Sequence, residues 1–282
     1  MIAIFGGLGA AAFWTVTTIC SARASRLIGP FSVLAWVTIV GLIVTAPIAA
    51  FGSTPSNLGS STGAWLALSG VCNVGGLLFA YQALRSGKVG LASPIISTEG
   101  AVAAIIAVVA GEALGAPRAF ALVAVVVGII AVAGGSAGEE APGLNDKEAA
   151  LFASAAALSF GLGLYSTGRV SGDVPLAWAV LPPRVVGVAA VAIPLILLSR
   201  LHLTRRAAPL VFVSGLAEVG GYFAFTLGAR HGIAVTAVLG SQFAVTSALV
   251  AFLLFGEKLG RLRIAGVIVT AIGVALLSAL QA

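Results

Sequence analysis

The chain has 282 residues, 60% hydrophobic and 9% charged, where a soluble domain has about a quarter charged. With a mean hydropathy of +1.13, a soluble protein of this length has too little polar surface to cover itself, so the remaining solvent is lipid. The formal net charge is +6, but the basic residues stand singly between apolar runs, which is membrane-flanking charge and excludes a phosphate-binding face for nucleic acid.

About 20 apolar residues cross a bilayer core. Runs of that kind occupy 2–21, 31–51, 63–84, 90–110, 118–136, 148–168, 176–198, 208–229, 233–254 and 261–281. Unbroken runs predict helices, since barrel strands would show alternating segments of about ten residues. The first run, MIAIFGGLGAAAFW, lacks a basic leader and reads as a span, not a removed signal. The connections SARASRLIGP, SGKVG, GEALGAP and RHG leave no room for a soluble domain. One polar, turn-rich stretch, 138–147, reads as a linker.

GEALG at 111–115 returns as GEKLG at 256–260, an offset of 145 residues. The same offset lays Arg85 on Arg230, Arg118 on Arg263 and Glu112 on Glu257. Two copies of one unit are therefore expected, 1–137 and 148–282, with five spans each. Five is odd, so the second copy must enter the bilayer upside down. The predicted fold is an all-α membrane protein of ten transmembrane helices, arranged as two inverted five-helix repeats about a pseudo-twofold axis in the membrane plane. Eleven Lys and Arg fall in the connections on one side, against Arg118, Arg169 and Arg230 on the other. The richer side is predicted cytoplasmic, which puts both termini outside the cytoplasm.

Three ionisable side chains lie within spans. At about 1.5 Å per residue, Glu99, Arg184 and Glu218 sit roughly 15, 13 and 16 Å from the starts of their runs, near the middle of a core of about 30 Å. Charges at that depth default to function and face the bundle interior in pairs; the plainer reading is an ion pair that locks helices together. The guanidinium fork of Arg184 suits a substrate carboxylate. One Glu would pair with it in the empty site, and the other would take an amine or a coupling proton. Trp14, Asn73, Tyr222 and Gln242 are deep enough to line a cavity or pack a core, and Trp14 and Tyr222 offer cation–π surface. Tyr81, like Tyr165 and Trp178, is nearer a span end and suits either a cavity or an interfacial belt.

Glu112 and Glu257 are expected to cap helix starts. Pro47, Pro94, Pro182, Pro183 and Pro194 lie inside spans, and Pro182–Pro183 opens backbone directly before Arg184. The glycine-rich stretches GGLGA at 6–10, GVCNVGG at 70–76, SFGLG at 159–163 and GLAEVGG at 215–221 are expected to pack helices closely. Cys20 and Cys72 read as small core residues, and His202 and His231 have no ligand-spaced partner, so neither a metal nor a cofactor is expected. No GxSxG, HExxH, P-loop or CxxC appears, and no enzyme is expected.

Ten spans in two halves, with G-E-x-L-G between the fourth and fifth helix of each, resemble the drug/metabolite transporter superfamily of the EamA type along the whole chain. Where that family often has a proline after a polar residue early in the fourth helix, this chain has Glu99–Gly100. The resemblance implies a secondary transporter in the inner (cytoplasmic) cell membrane, exporting small organic metabolites by alternating access. Amino acids are the first expectation, with the aromatic amino-acid exporter branch (YddG type) as one home. An exporter of drugs or organic cations, using Glu99 and Glu218 without Arg184, is the alternative. The implied partners are a small-molecule substrate, the lipid bilayer and, with the coupling left open, protons.

Overall fold

In lipid a backbone has no polar partner but itself, so a long apolar run becomes a helix. The computed structural model describes residues 1–55, 58–84, 95–134, 146–243, 245–246, 250 and 261–280, and every regular element among them is helical. The elements are α1 (Ile2–Ile28), α2 (Pro30–Phe51), α3 (Ser60–Leu84), α4 (Glu99–Val109), α5 (Ala116–Gly134), α6 (Asp146–Val170), α7 (Leu176–Leu197), α8 (Ala208–Ala229), α9 (Ile233–Gly240) and α10 (Arg261–Ala279). Six of them, α1, α2, α3, α6, α7 and α8, are long and apolar enough to cross a membrane; shorter apolar helices lie in α4, α5 and α10. Large apolar side chains point outward: Phe51, Val109 and Phe120 are 92%, 83% and 80% exposed. In water each such side chain would forgo about 1.5–3 kcal/mol of burial, a loss that lipid removes.

Local chemistry sets the ends. Gly29, at φ 80°, stops α1, and Pro30 opens α2 at its first position, where a missing N–H costs nothing. The polar stretch after residue 21 continues α1 to Ile28, beyond the predicted end of the first span. Helix α6 begins at Asp146, so the end of the predicted linker is helical; the rest of it, with Arg85, Lys88, Pro94 and Glu257, lies outside the described residues. Pro182 and Pro183 stay inside α7, which widens one turn later into a π-turn at Val188–Ala192. The fourth run departs most from expectation. Among the described residues a turn at Ser97–Thr98 precedes α4, so Glu99 is the first residue of a helix, not the middle of one. There the positive end of the helix dipole favours a carboxylate. A matching turn, Ser241–Gln242, follows α9.

The closest helix pairs join the two halves of the chain: α1 lies on α8, α3 on α6, α5 on α10 and α4 on α9. Small residues allow it. A Cβ added to Gly6 would lie 2.5 Å from the Gly228 Cα, one on Gly128 would lie 2.7 Å from the Gly266 oxygen, and one on Gly273 would lie 3.0 Å from the Ala121 oxygen. Gly76 is covered by the Phe160 ring and Gly221 by the Trp14 indole. Hydroxyls add bonds across the same seams, Ser21 to Ser214 at 2.7 Å and Thr236 to the Ala3 carbonyl at 3.2 Å, each worth about 0.6 kcal/mol within a membrane. Arg230 donates to the carbonyls of Ser171 and Val174, tying the end of α8 to the α6–α7 loop. Every buried apolar cluster among the described residues mixes side chains from before and after the linker.

Candidate functional site

A cavity of about 190 Å³ lies where the two helix breaks face each other. Helix α1 supplies Trp14, Thr17 and Thr18, α3 supplies Asn73 and Leu77, and the start of α4 supplies Glu99 with Ile96 before it. From the second half come Phe160 and Leu164 of α6, Glu218 and Tyr222 of α8, and Phe243 just past α9. The break before α4 is what brings Glu99 here. Its helix is pressed against α9 at Gly100, where a Cβ would lie 2.5 Å from the Ala237 oxygen, and against α6 at Gly161, where a Cβ would lie 2.9 Å from the Glu99 oxygen. Glu99 is only 7% exposed. Glu218 faces the same cavity from α8, and the neighbouring Thr17 hydroxyl donates to the Ser214 carbonyl at 3.3 Å.

Arg184 stands one layer behind. It is buried, and its guanidinium donates to the Val180 carbonyl at 3.2 Å and to the main-chain carbonyl of Glu218 at 3.0 Å. The guanidinium carbon lies 4.3 Å from the centroid of the Tyr222 ring, a cation–π contact. The other side of the Arg184 site is a small cavity of about 30 Å³, which shares Asn73, Leu77 and Glu218 with the larger one. The Tyr222 hydroxyl accepts a hydrogen bond from the Asn73 amide, and the Tyr222 ring meets Trp14 edge-on with centroids 5.6 Å apart.

Of the residues singled out in the sequence, Glu99, Glu218, Trp14, Asn73 and Tyr222 therefore share one cavity, and Arg184 borders it from behind. Arg184 and Glu218 are neighbours, and the hydrogen bond from the guanidinium goes to the Glu218 main-chain carbonyl. Tyr81 is not among the cavity's lining residues and packs edge-on against Phe31, centroids 5.9 Å apart. Gln242 is buried in the turn after α9, with no hydrogen-bond partner for its amide nitrogen among the described residues. Phe160, Leu164, Leu77 and Phe243 are additions, because an apolar residue in an apolar span looks the same whether it faces lipid or a cavity. For Leu77 the repeat held a signal, since the 145-residue offset lays it on Tyr222.

Glu112 does cap a helix, but not the one that follows it. Its carboxylate accepts from the Ile233 amide at 3.0 Å and from the Ala234 amide at 3.2 Å, closing the start of α9 in the other half. Such a cap is worth about 0.5–2 kcal/mol. No group of three or more His, Cys, Asp or Glu suited to a metal occurs among the described residues.

Described residues whose regular elements are all helical, with six membrane-length helices, an outward apolar surface and ionisable side chains buried around an internal cavity, define a multi-pass membrane protein. Residues 1–134 match the EamA-like transporter family, a likeness consistent with the drug/metabolite transporter superfamily. A solved crystal structure with 18% sequence identity covers 99% of this chain and 96% of its own, with a TM-score of 0.79. At that identity the likeness shows a shared fold. The search of curated proteins found no match.

Proposed function

We propose that the chain is a secondary transporter that exports small organic metabolites carrying an amine, by alternating access through the cavity between its halves. The observation that carries this reading is the direction of the charges. Two carboxylates and the side chains of Trp14, Phe160, Tyr222 and Phe243 line the cavity, while Arg184 spends donors on main-chain carbonyls behind Tyr222. Like charges facing one small apolar-walled volume are relieved by a cation between them, and aromatic faces add to its attraction.

The architecture proposed with it is ten helices in two inverted copies. Its support is that contacts exchange between halves: Gly128 meets Thr270 and Gly273 meets Val125, while Gly41 meets Arg184 and Gly187 meets Thr38. Placement in the cytoplasmic membrane with both termini outside rests on the distribution of Lys and Arg, and a C-terminal reporter fusion that reads cytoplasmic would reverse it.

A second reading, export of amino acids with Arg184 as carboxylate clamp, draws on the small cavity beside Arg184. A ligand carboxylate reaching past Glu218 and Asn73 would meet the guanidinium. Uptake into proteoliposomes, over a panel of organic amines and amino acids, separates the two. The amine reading expects saturable amine uptake that Glu99→Gln and Glu218→Gln abolish. It fails if neutral or anionic metabolites are carried and amines are not. Loss of amino-acid uptake alone in Arg184→Gln would move the second reading ahead.

A further inference from the structure

The bond between the halves at Glu112 is remote from the cavity, yet both helices it joins lead there. Gly111, at φ +105°, turns the chain out of α4, and the Glu112 amide donates back to the Ala107 carbonyl at 2.9 Å. Gly232, at φ +152°, sets up the start of α9 on the receiving side. Both φ values favour glycine, so the backbone is shaped on each side of the contact. From this point α4 runs about 16 Å to Glu99, and α9 runs about 12 Å toward Phe243, at about 1.5 Å per residue. The two helices that end in the broken, cavity-lining turns are thus fastened together at their far ends.

Three features suit this contact to breaking and re-forming. It straddles the two halves, so any parting of α4 from α9 at this face must separate Glu112 from Ile233. It is polar, and it lies in a depression of about 360 Å³ that Arg118 and His231 also line, both exposed. The carboxylate and the freed amides would therefore be hydrated when apart, which an apolar seam could not be. It is also specific in reach, because both carboxylate oxygens engage adjacent amides.

We infer that Glu112 is a latch between the halves, made and broken in every transport cycle, which holds shut the face at which α4 ends and α9 begins. The inference rests on the alternating-access reading above. Glu112 acts through the helices and touches no substrate, so it is a positioning residue.

The test uses full-length protein in membranes, with Cys20→Ser and Cys72→Ser and one reporter, Thr18→Cys, facing the cavity. A membrane-impermeant thiol reagent is applied from each side. Glu112→Gln keeps one acceptor but loses the charge and the second oxygen. It is expected to raise labelling from the latch face by about three- to thirtyfold, the range a lost cap implies, and to leave labelling from the other face level or lower. A lower Tm with unchanged labelling would make Glu112 a structural cap only and overturn the latch. A second arm keeps Glu112 and bridges Ala113→Cys to His231→Cys, both exposed in the same depression, with a short reducible bifunctional reagent. Bridging is expected to stop exchange of a transported amine and labelling from the latch face, and reduction to restore both. Full-rate cycling while bridged would overturn the inference. If nothing on the substrate panel is carried, the labelling arms still report on the latch, so failure of the transport reading is told apart from failure of this one.

Discussion

Asn73 and Glu218 hold the same place in the two halves, 145 residues apart, and line one cavity from opposite sides. The same offset places Leu77 opposite Tyr222, and the exchanged glycine contacts place Thr38 opposite Arg184. At these three slots the second half carries the ionisable group or the hydroxyl-bearing ring where the first carries a neutral or apolar group, and at Glu99, opposite Ala244, the first half carries the charge. The packing positions do the reverse. Gly70 and Gly215, Gly76 and Gly221, and Gly128 and Gly273 stay glycine in both halves and meet equivalent neighbours. Helices that must approach closely tolerate no side chain, so both copies keep that constraint. A small ligand with unlike ends has no twofold axis, so on the proposed transport reading the cavity would gain selectivity only where the halves diverge.

Making the halves alike again is the most direct way to break this arrangement. Glu218→Asn gives both slots the same residue and removes one carboxylate from the cavity. At about 1.5–3 kcal/mol for a hydrogen bond to a charged group, amine uptake at limiting substrate should fall roughly 10- to 150-fold, read in proteoliposomes, with the protein still folded by thermal melting. The packing half of the comparison is sharpened by a matched pair. Gly76→Ala and Gly221→Ala each push a Cβ into an aromatic ring, and each should destabilise by about 1–3 kcal/mol, visible as similar drops in Tm. Unequal drops would mean that the copies have ceased to share their packing.

Tyr222→Phe is a smaller step, because it only removes the acceptor for the Asn73 amide. A loss of about 1 kcal/mol should weaken apparent substrate affinity about fivefold, measured as a shift in half-saturating concentration. Tyr81→Phe should do least. Away from the lining residues and stacked on Phe31, it should change stability by about 0.5 kcal/mol or less and uptake less than about twofold. A tenfold loss there would extend the cavity to α3's far end.

Much of the scaffold could be read from periodicity and charge. The eighth apolar run spans 208–229 and its helix is Ala208–Ala229, because Pro209 and the Arg230–His231–Gly232 stretch punctuate it clearly. Glu99 and Glu218 stand out in the sequence because a carboxylate inside an apolar run has few places to go. What the sequence could not show is where hydrogen bonds end. Nothing in the spacing says that Arg184 would choose main-chain carbonyls over a carboxylate, or that Glu112 would reach across 121 positions to Ile233 and not cap its own neighbour. The break before α4 was also hidden. Ser97, Thr98, Glu99 and Gly100 are turn-prone, but within so apolar a run they read as a continuing helix.

The interleaving of α1 with α8 and α3 with α6 bears on how this chain is made. Because each buried cluster draws on both sides of the linker, the first half leaves the ribosome with glycine-faced helices that have nothing to close on. It must wait in the bilayer, as separate helices held upright by their hydrophobicity alone, until α6 and then α8 arrive. A chain severed near residue 140 would accordingly yield two fragments that are each incomplete and each the other's missing core.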